Sequence, residues 1–294
     1  MKAFTLLGLL AAGALGLSAC GAQATVDQAV TSLGASPYLQ LHLTGSLASA
    51  DPAYANAQSV VKDLSLTLDY ASTNGANLSA AGTSVDGEVL LDVAGTTALD
   101  VRSIGGNLYV ELNLAPLASL PGLNVPPGSL GAAGQMLDGR WFEIPQSLLS
   151  QVAAAHQPSA AQVARAQSLA RAAIKALSTL VEGAPYTSSN GTLTETGTLQ
   201  SVVDALAPVL GPATGATPPT VSGTYSISLT TSGTTATGGS VTITSAGTSA
   251  HPAPSPVTVS LQATAGHDTV PVATPAGAIV VTPSMLGQFS AIGG

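Results

Sequence analysis

The stretch Leu99-Asp100-Val101-Arg102-Ser103-Ile104-Gly105-Gly106-Asn107-Leu108-Tyr109-Val110 reads as two β-strands and the turn between them. Leu99 and Val101 point away from Asp100 and Arg102. After Gly105-Gly106-Asn107, the residues Leu108, Val110 and Leu112 stand opposite Tyr109 and Glu111. A period of two places all the apolar side chains on one face of a strand, and paired glycines supply the positive φ angles that a tight hairpin turn needs. The stretch therefore predicts an antiparallel hairpin with one packed face and one wet face.

The same rhythm extends in both directions. Upstream, Leu39, Leu41, Leu43 and Leu47 alternate with Gln40, His42 and Thr44. Leu64, Leu66, Leu68 and Tyr70 alternate with Asp63, Ser65, Thr67 and Asp69, and Val85, Val89, Leu91 and Val93 alternate with Asp86, Glu88 and Asp92. Turn signals at Asn74-Gly75, Gly82-Thr83 and Gly95-Thr96 separate them, which predicts a meander of adjacent strands. Downstream, residues 115–139 break the pattern with Pro116, Pro121, Pro126 and Pro127, yet keep Leu117, Leu120, Leu123, Val125, Leu130, Met136 and Leu137. A long loop this apolar must bury those side chains somewhere, and folding back on the core is the expectation. A strand, Gly139-Arg140-Trp141-Phe142-Glu143-Ile144, follows.

Residues 146–182 form the long helical segment of the sequence, divided at Pro158-Ser159. Val163, Ala166, Ala170, Ile174, Leu177 and Val181 follow the spacing of one helix face, with Arg165, Arg171 and Lys175 on the solvated side. A short helix is expected over 199–210. Alternation returns in Tyr225-Ile227-Leu229, Val241-Ile243 and Val257-Val259-Leu261, while the Ser/Thr/Gly/Pro-rich stretches 230–240 and 245–255 read as loops. Thr282-Pro283 is expected to cap a terminal helical turn through Phe289.

Composition narrows the function classes. Of 294 residues, 45% are hydrophobic and only 7% charged, 3% are aromatic, the formal charge is -8 and the mean hydropathy is +0.40. Seven Lys and Arg without a basic run give no footprint for a phosphate backbone, so nucleic acid is not an expected partner. After the first seventeen residues no apolar run reaches the roughly 18 residues of a spanning helix. At the N-terminus, Lys2 precedes the apolar run Ala3 to Leu17, and Leu17-Ser18-Ala19-Cys20 then sets small residues before the single cysteine. This pattern resembles a lipoprotein signal peptide over residues 1–19 with a lipobox, in which Cys20 is acylated, palmitate being the label that would report it. Residues 20–36 are then the lipidated N-terminus and tether. Two or more acyl chains hold a protein stably on a membrane, so the expected location is the extracytoplasmic face of the cell membrane. A single cysteine allows no intramolecular disulfide. The abundance of Ala, Gly, Ser and Thr with little Lys suits a GC-rich, actinobacteria-like genome.

No residue pattern supports catalysis, a cofactor or a metal. His42, His156, His251 and His267 are isolated from one another, and there is no zinc-protease helix motif, nucleophile elbow or phosphate loop. His267-Asp268 are adjacent and belong to a turn. Asp86, Glu88 and Asp92 lack the spacing of a calcium loop and read as the solvent face of a strand.

The hairpin quoted above, followed by Gly139-Arg140-Trp141-Phe142-Glu143-Ile144, resembles the central hairpin and Trp-bearing strand of the LolA/LppX-like lipoproteins, including the mycobacterial LppX/LprG group. What the resemblance implies is an α+β fold over 37–294, a single domain in which an antiparallel β half-barrel has helices covering its concave face. It also implies an apolar cavity for acyl chains, and hence a lipid or glycolipid ligand. Leu66, Leu68, Val89, Leu91, Val101, Leu108, Val110, Val163 and Ile174 are the candidate cavity wall. The expected function is binding or transfer of a lipid or other apolar molecule, without catalysis. The alternative is a structural or accessory envelope lipoprotein with a filled core that engages a protein partner through 115–139. The Ser/Thr-rich stretches after residue 211 depart from the family pattern.

Overall fold

The computed structural model describes residue 28 and residues 31–82, 84–120, 137–155, 187–214, 220–248, 252–266 and 272–285. The fold is mixed α+β, mostly antiparallel sheet with few helices. The described residues divide between two compact units, one drawn from 36–44, 59–157 and 266–294 and the other from 1–35, 45–58 and 158–265.

The first unit is the meander that the opening stretch predicts. Its strands are β1 (Tyr38–Ala48, paired through its first seven residues), β2 (Leu64–Ser72), β3 (Val85–Val93), β4 (Thr96–Ile104), β5 (Asn107–Leu112) and β6 (Trp141–Ile144). Each pairs antiparallel with its sequence neighbour. A short β12 (Ile279–Val280) adds to β6 in parallel. Gly105 and Gly106 take φ +56° and +89° between β4 and β5, the left-handed pair of a two-residue hairpin. A bulge between Leu91 and Asp92 shifts the β3–β4 register and adds local twist. Three helices accompany these strands: α1 (Ala55–Asp63), whose C-terminal part belongs here, α2 (Leu114–Ala118) and α3 (Gln146–Ala155). Two buried clusters flank the sheet. Val93, Ala98 and Leu120 pack with Val60, Leu64 and Leu117, and Phe142, Leu148 and Val281 pack with Leu137, Ile144 and Met285.

The second unit pairs β7 (Thr187–Ser189), β8 (Thr192–Thr198), β9 (Val221–Ser232), β10 (Thr235–Thr248) and β11 (Pro252–Gly266), antiparallel and in the order β11-β10-β9-β8-β7. Helix α4 (Leu199–Thr214) joins β8 to β9 and packs against both.

Several expectations are corrected. Residues 230–240 and 245–255 are strand over most of their length: β9 runs to Ser232, β10 starts at Thr235 and extends to Thr248, and β11 begins at Pro252. The physical reason is that Thr and Ser fit a pleated surface when their hydroxyls pair across strands. Ser240, at the end of the first stretch, pairs with Ser228 at 2.8 Å, and in the centre of the same strands Thr242 pairs with Ser260 and Thr244 with Thr258, each at 3.0 Å. Within 115–139, Leu114–Ala118 is helical, capped by the Asn113 carboxamide on the Ala115 N–H, and Pro116 is buried. The expected helix over 199–210 continues to Thr214. The terminal turn is helical over 283–285. The leader, Cys20, the helix expected over 159–182 and the pair His267-Asp268 lie outside the described residues.

Candidate ligand-binding face

Register decides which side chains meet, since residues directly opposite on neighbouring strands share a face. In the first unit, Leu41, Leu68, Val89, Val101, Val110 and Phe142 stand in one row across β1 to β6. Beside it run Leu43, Leu66, Leu91, Leu99 and Leu112 on one side, and Leu39, Tyr70, Gly87, Ser103, Leu108 and Ile144 on the other. Seven residues expected from the sequence to line a cavity, Leu66, Leu68, Val89, Leu91, Val101, Leu108 and Val110, therefore form one contiguous apolar patch, and every one is only half-buried. Full burial is reserved for the flanks, at Leu39, Val93 and Phe142. Val163 and Ile174 lie outside the described residues. A depression of about 180 Å³ lined by Thr96, Thr97, Ala98, Glu111 and Asn113 involves none of the seven and falls short of the roughly 300 Å³ at which ligand cavities begin.

The opposite face of the same sheet corrects the expectation of a wet surface. Gln40, Asp69, Glu88, Arg102, Tyr109 and Glu143 form a row across the six strands. Asp69, Glu88, Asp100 and Tyr109 are buried, at 3%, 7%, 4% and 5% exposure. Glu88 thus does not belong to the solvent face of β3. Burying carboxylates is tolerable only with partners, and Arg102 supplies them. Its Nε lies 2.7 Å from Glu88 Oε1, its Nη2 donates to Asp100 Oδ2 at 2.9 Å and its Nη1 donates to the Ala273 carbonyl at 2.9 Å. The guanidinium also stacks over Trp141, 4.7 Å from the ring centroid.

One guanidinium among three acids leaves charge uncompensated. Burial first, then Asp100, pushes the Glu88 carboxyl up to about 7, although Arg102 pulls it back. Burial also raises Asp69, against a hydrogen bond from Gln40 and with a further push from Asp100. Asp69 Oδ1 has no hydrogen-bond partner. The alternation of β2 to β4 revealed which acids share a face. Their burial carried no signal in the sequence, because the segment around Ala273 and Trp141, which meet Arg102, come from distant positions.

One face of the sheet thus presents half-buried Leu and Val, and the other is closed by an ion-paired network. Among the described residues no cluster of His, Cys, Asp and Glu is disposed to hold a metal ion, and no helix is long and apolar enough to cross a membrane. No family model matches the chain, and no curated protein sequence matches it. Among solved structures, the chain is similar to the crystal structure of the lipoprotein LppX from Mycobacterium tuberculosis, with 12% sequence identity, a TM-score of 0.34 and coverage of 85% of this chain and 97% of that one.

Proposed function

We propose that the chain is an extracytoplasmic protein, held on the cell membrane by acylated Cys20, that binds or transfers a lipid or other apolar molecule without catalysis. The observation that carries this reading is the patch of Leu66, Leu68, Val89, Leu91, Val101, Leu108 and Val110, brought together by register and left half-buried. Water-accessible apolar surface of this continuity is favourable to cover, at about 25 cal/mol per Å², and marks a binding site more often than an idle surface. The anchor is supported by Leu17-Ser18-Ala19-Cys20. In this reading 37–294 is a single half-barrel domain, the helical segment 146–182 covers its concave face, and Val163 and Ile174 contribute to the wall.

Val89 and Val101 stand directly opposite each other on β3 and β4. Replacing both with Thr keeps their shape and adds two hydroxyls. The double variant is expected to bind a fluorescent fatty acid about tenfold more weakly, equivalent to about 1.4 kcal/mol. Unchanged affinity in a folded variant contradicts the assignment of this face.

A further inference from the structure

Ser32 is the twelfth residue after Cys20 and is bonded into the second unit. Strand β10 pairs with β11 from Gly238 onward, and the Ala236 N–H, beyond that point, donates to Ser32 Oγ at 3.1 Å. Ala236 is buried, so its amide needs such an acceptor. The attachment lies at one end of the strands. β9 turns into β10 there through Ser232-Gly233-Thr234, with Gly233 at φ +62°. The β7–β8 turn at Asn190-Gly191 lies beside it, because the Thr231 N–H and O–H both donate to the Gly191 carbonyl, at 2.8 and 3.1 Å.

The length of chain between Cys20 and Ser32 limits how this unit can stand on a membrane. Twelve residues reach at most about 42 Å when fully extended, and a flexible chain of that length averages about 19 Å. The other end of the unit, where Thr248 pairs with Val221, is twelve residues along β10 from Ala236, about 40 Å away at about 3.3 Å per residue. Gln28 and residues 31–33 are helical, with a rise of about 1.5 Å per residue, so full extension is out of reach. With the strands upright, the far end therefore cannot be the one seated on the bilayer. Charge favours the same end. The chain carries a formal charge of -8 and anionic headgroups repel carboxylates, whereas residues 187–194 and 228–242 contain no charged side chain.

We propose, on the premise of the acyl anchor at Cys20, that the end of the second unit formed by the Asn190-Gly191 and Ser232-Gly233-Thr234 turns is the surface that meets the bilayer headgroups, with β8, β9 and β10 rising from it. Exposed Ser189, Asn190, Ser232 and Thr234 offer hydroxyl and amide groups to headgroup oxygens, and no charged side chain has to be desolvated there.

The test is energy transfer from single labels on the acylated full chain, purified from its host membrane and reconstituted in vesicles of phosphatidylethanolamine and phosphatidylglycerol that carry an acceptor lipid. Thr234→Cys puts the label in the near turn. Ser222→Cys puts it about 33 Å from Ser232 along β9, at about 3.3 Å per residue, and both positions are exposed. Acylation blocks the thiol of Cys20, the single cysteine of the sequence, so each variant takes one label. With a dye pair whose range is shorter than that separation, transfer from Thr234→Cys is expected to exceed that from Ser222→Cys several-fold. Equal transfer from the two positions, or stronger transfer from Ser222→Cys, overturns the orientation while leaving the anchor intact. A native chain whose own Cys20 takes the label has no acyl anchor, and the orientation falls with its premise.

Discussion

Arg102 faces Asp69, Glu88 and Asp100, and its bonds to Glu88, Asp100 and the Ala273 carbonyl make the polar face of the first unit a closed layer. Removing one partner of a buried ionic network costs more than the network itself contributes, because the remaining charges stay desolvated. Arg102→Leu is therefore expected to lose about 3 kcal/mol at pH 7, and less at pH 5, where Glu88 holds a proton. Glu88 sets the sign of the pH dependence in the native chain. Its folded value of about 7 lies above its ordinary 4.5, so the folded state holds a proton that the unfolded state has released. The stability it contributes is full below pH 4.5 and is lost as pH rises through 7. Burial of Asp69 acts in the same direction. Urea unfolding at pH 5 and pH 8 should show the native chain more stable at pH 5, with the difference reduced in Glu88→Gln. A native chain equally stable at both values contradicts this reading. Which side chains share the face was legible from alternation alone. That the face is covered was not, since Ala273 lies 171 residues from Arg102 and nothing local announces it.

Helix α3 begins where Asn107 allows it to. The Asn107 carboxamide oxygen accepts from the Gln146 N–H at 3.0 Å, and its nitrogen donates to Glu143 Oε1 at 2.9 Å. A side chain from the hairpin turn thus serves as the cap of a helix 39 residues later, and ties that helix to the β5–β6 edge. Asn107→Ala is expected to cost about 1 kcal/mol, measured as a lowered urea midpoint with unchanged slope. The meander itself was readable, because Leu and Val alternate with Asp, Glu and Thr from Leu39 to Leu112. The centres of β9, β10 and β11 were readable in the same way, from Tyr225-Ile227-Leu229, Val241-Ile243 and Val257-Val259-Leu261, and only their ends in 230–240 and 245–255 were not. Turn-forming Ser, Thr, Gly and Pro in 230–240 and 245–255 carry no apolar period, and a hydroxyl pair such as Ser228 with Ser240 forms only once the strands are side by side. Helix α1 (Ala55–Asp63) was not anticipated from the sequence; none of its residues is buried, although Val60 packs against the Val93, Ala98 and Leu120 cluster.

Across the molecule, apolar side chains are spread along both units, and few of those in the described residues are fully buried. In the first unit Leu39, Val93, Ala98, Leu120, Phe142, Leu148 and Val281 are buried at the flanks, and the central apolar rows remain half-buried. A core of this kind is stabilised by whatever covers its rows, and a bound apolar molecule adds RT ln(1 + [L]/Kd) to folding. That Leu66, Leu68, Val89, Leu91, Val101, Leu108 and Val110 share a face could be read from sequence, because alternation encodes the face. What occupies the face is not encoded there, since Leu and Val pack equally well against protein or lipid. Native mass spectrometry of the protein purified from its own host tests anchor and ligand together. The account predicts a chain that begins at Cys20 and carries covalent acyl mass, together with a lipid-sized adduct released on gentle activation. An unacylated chain with no adduct would contradict it.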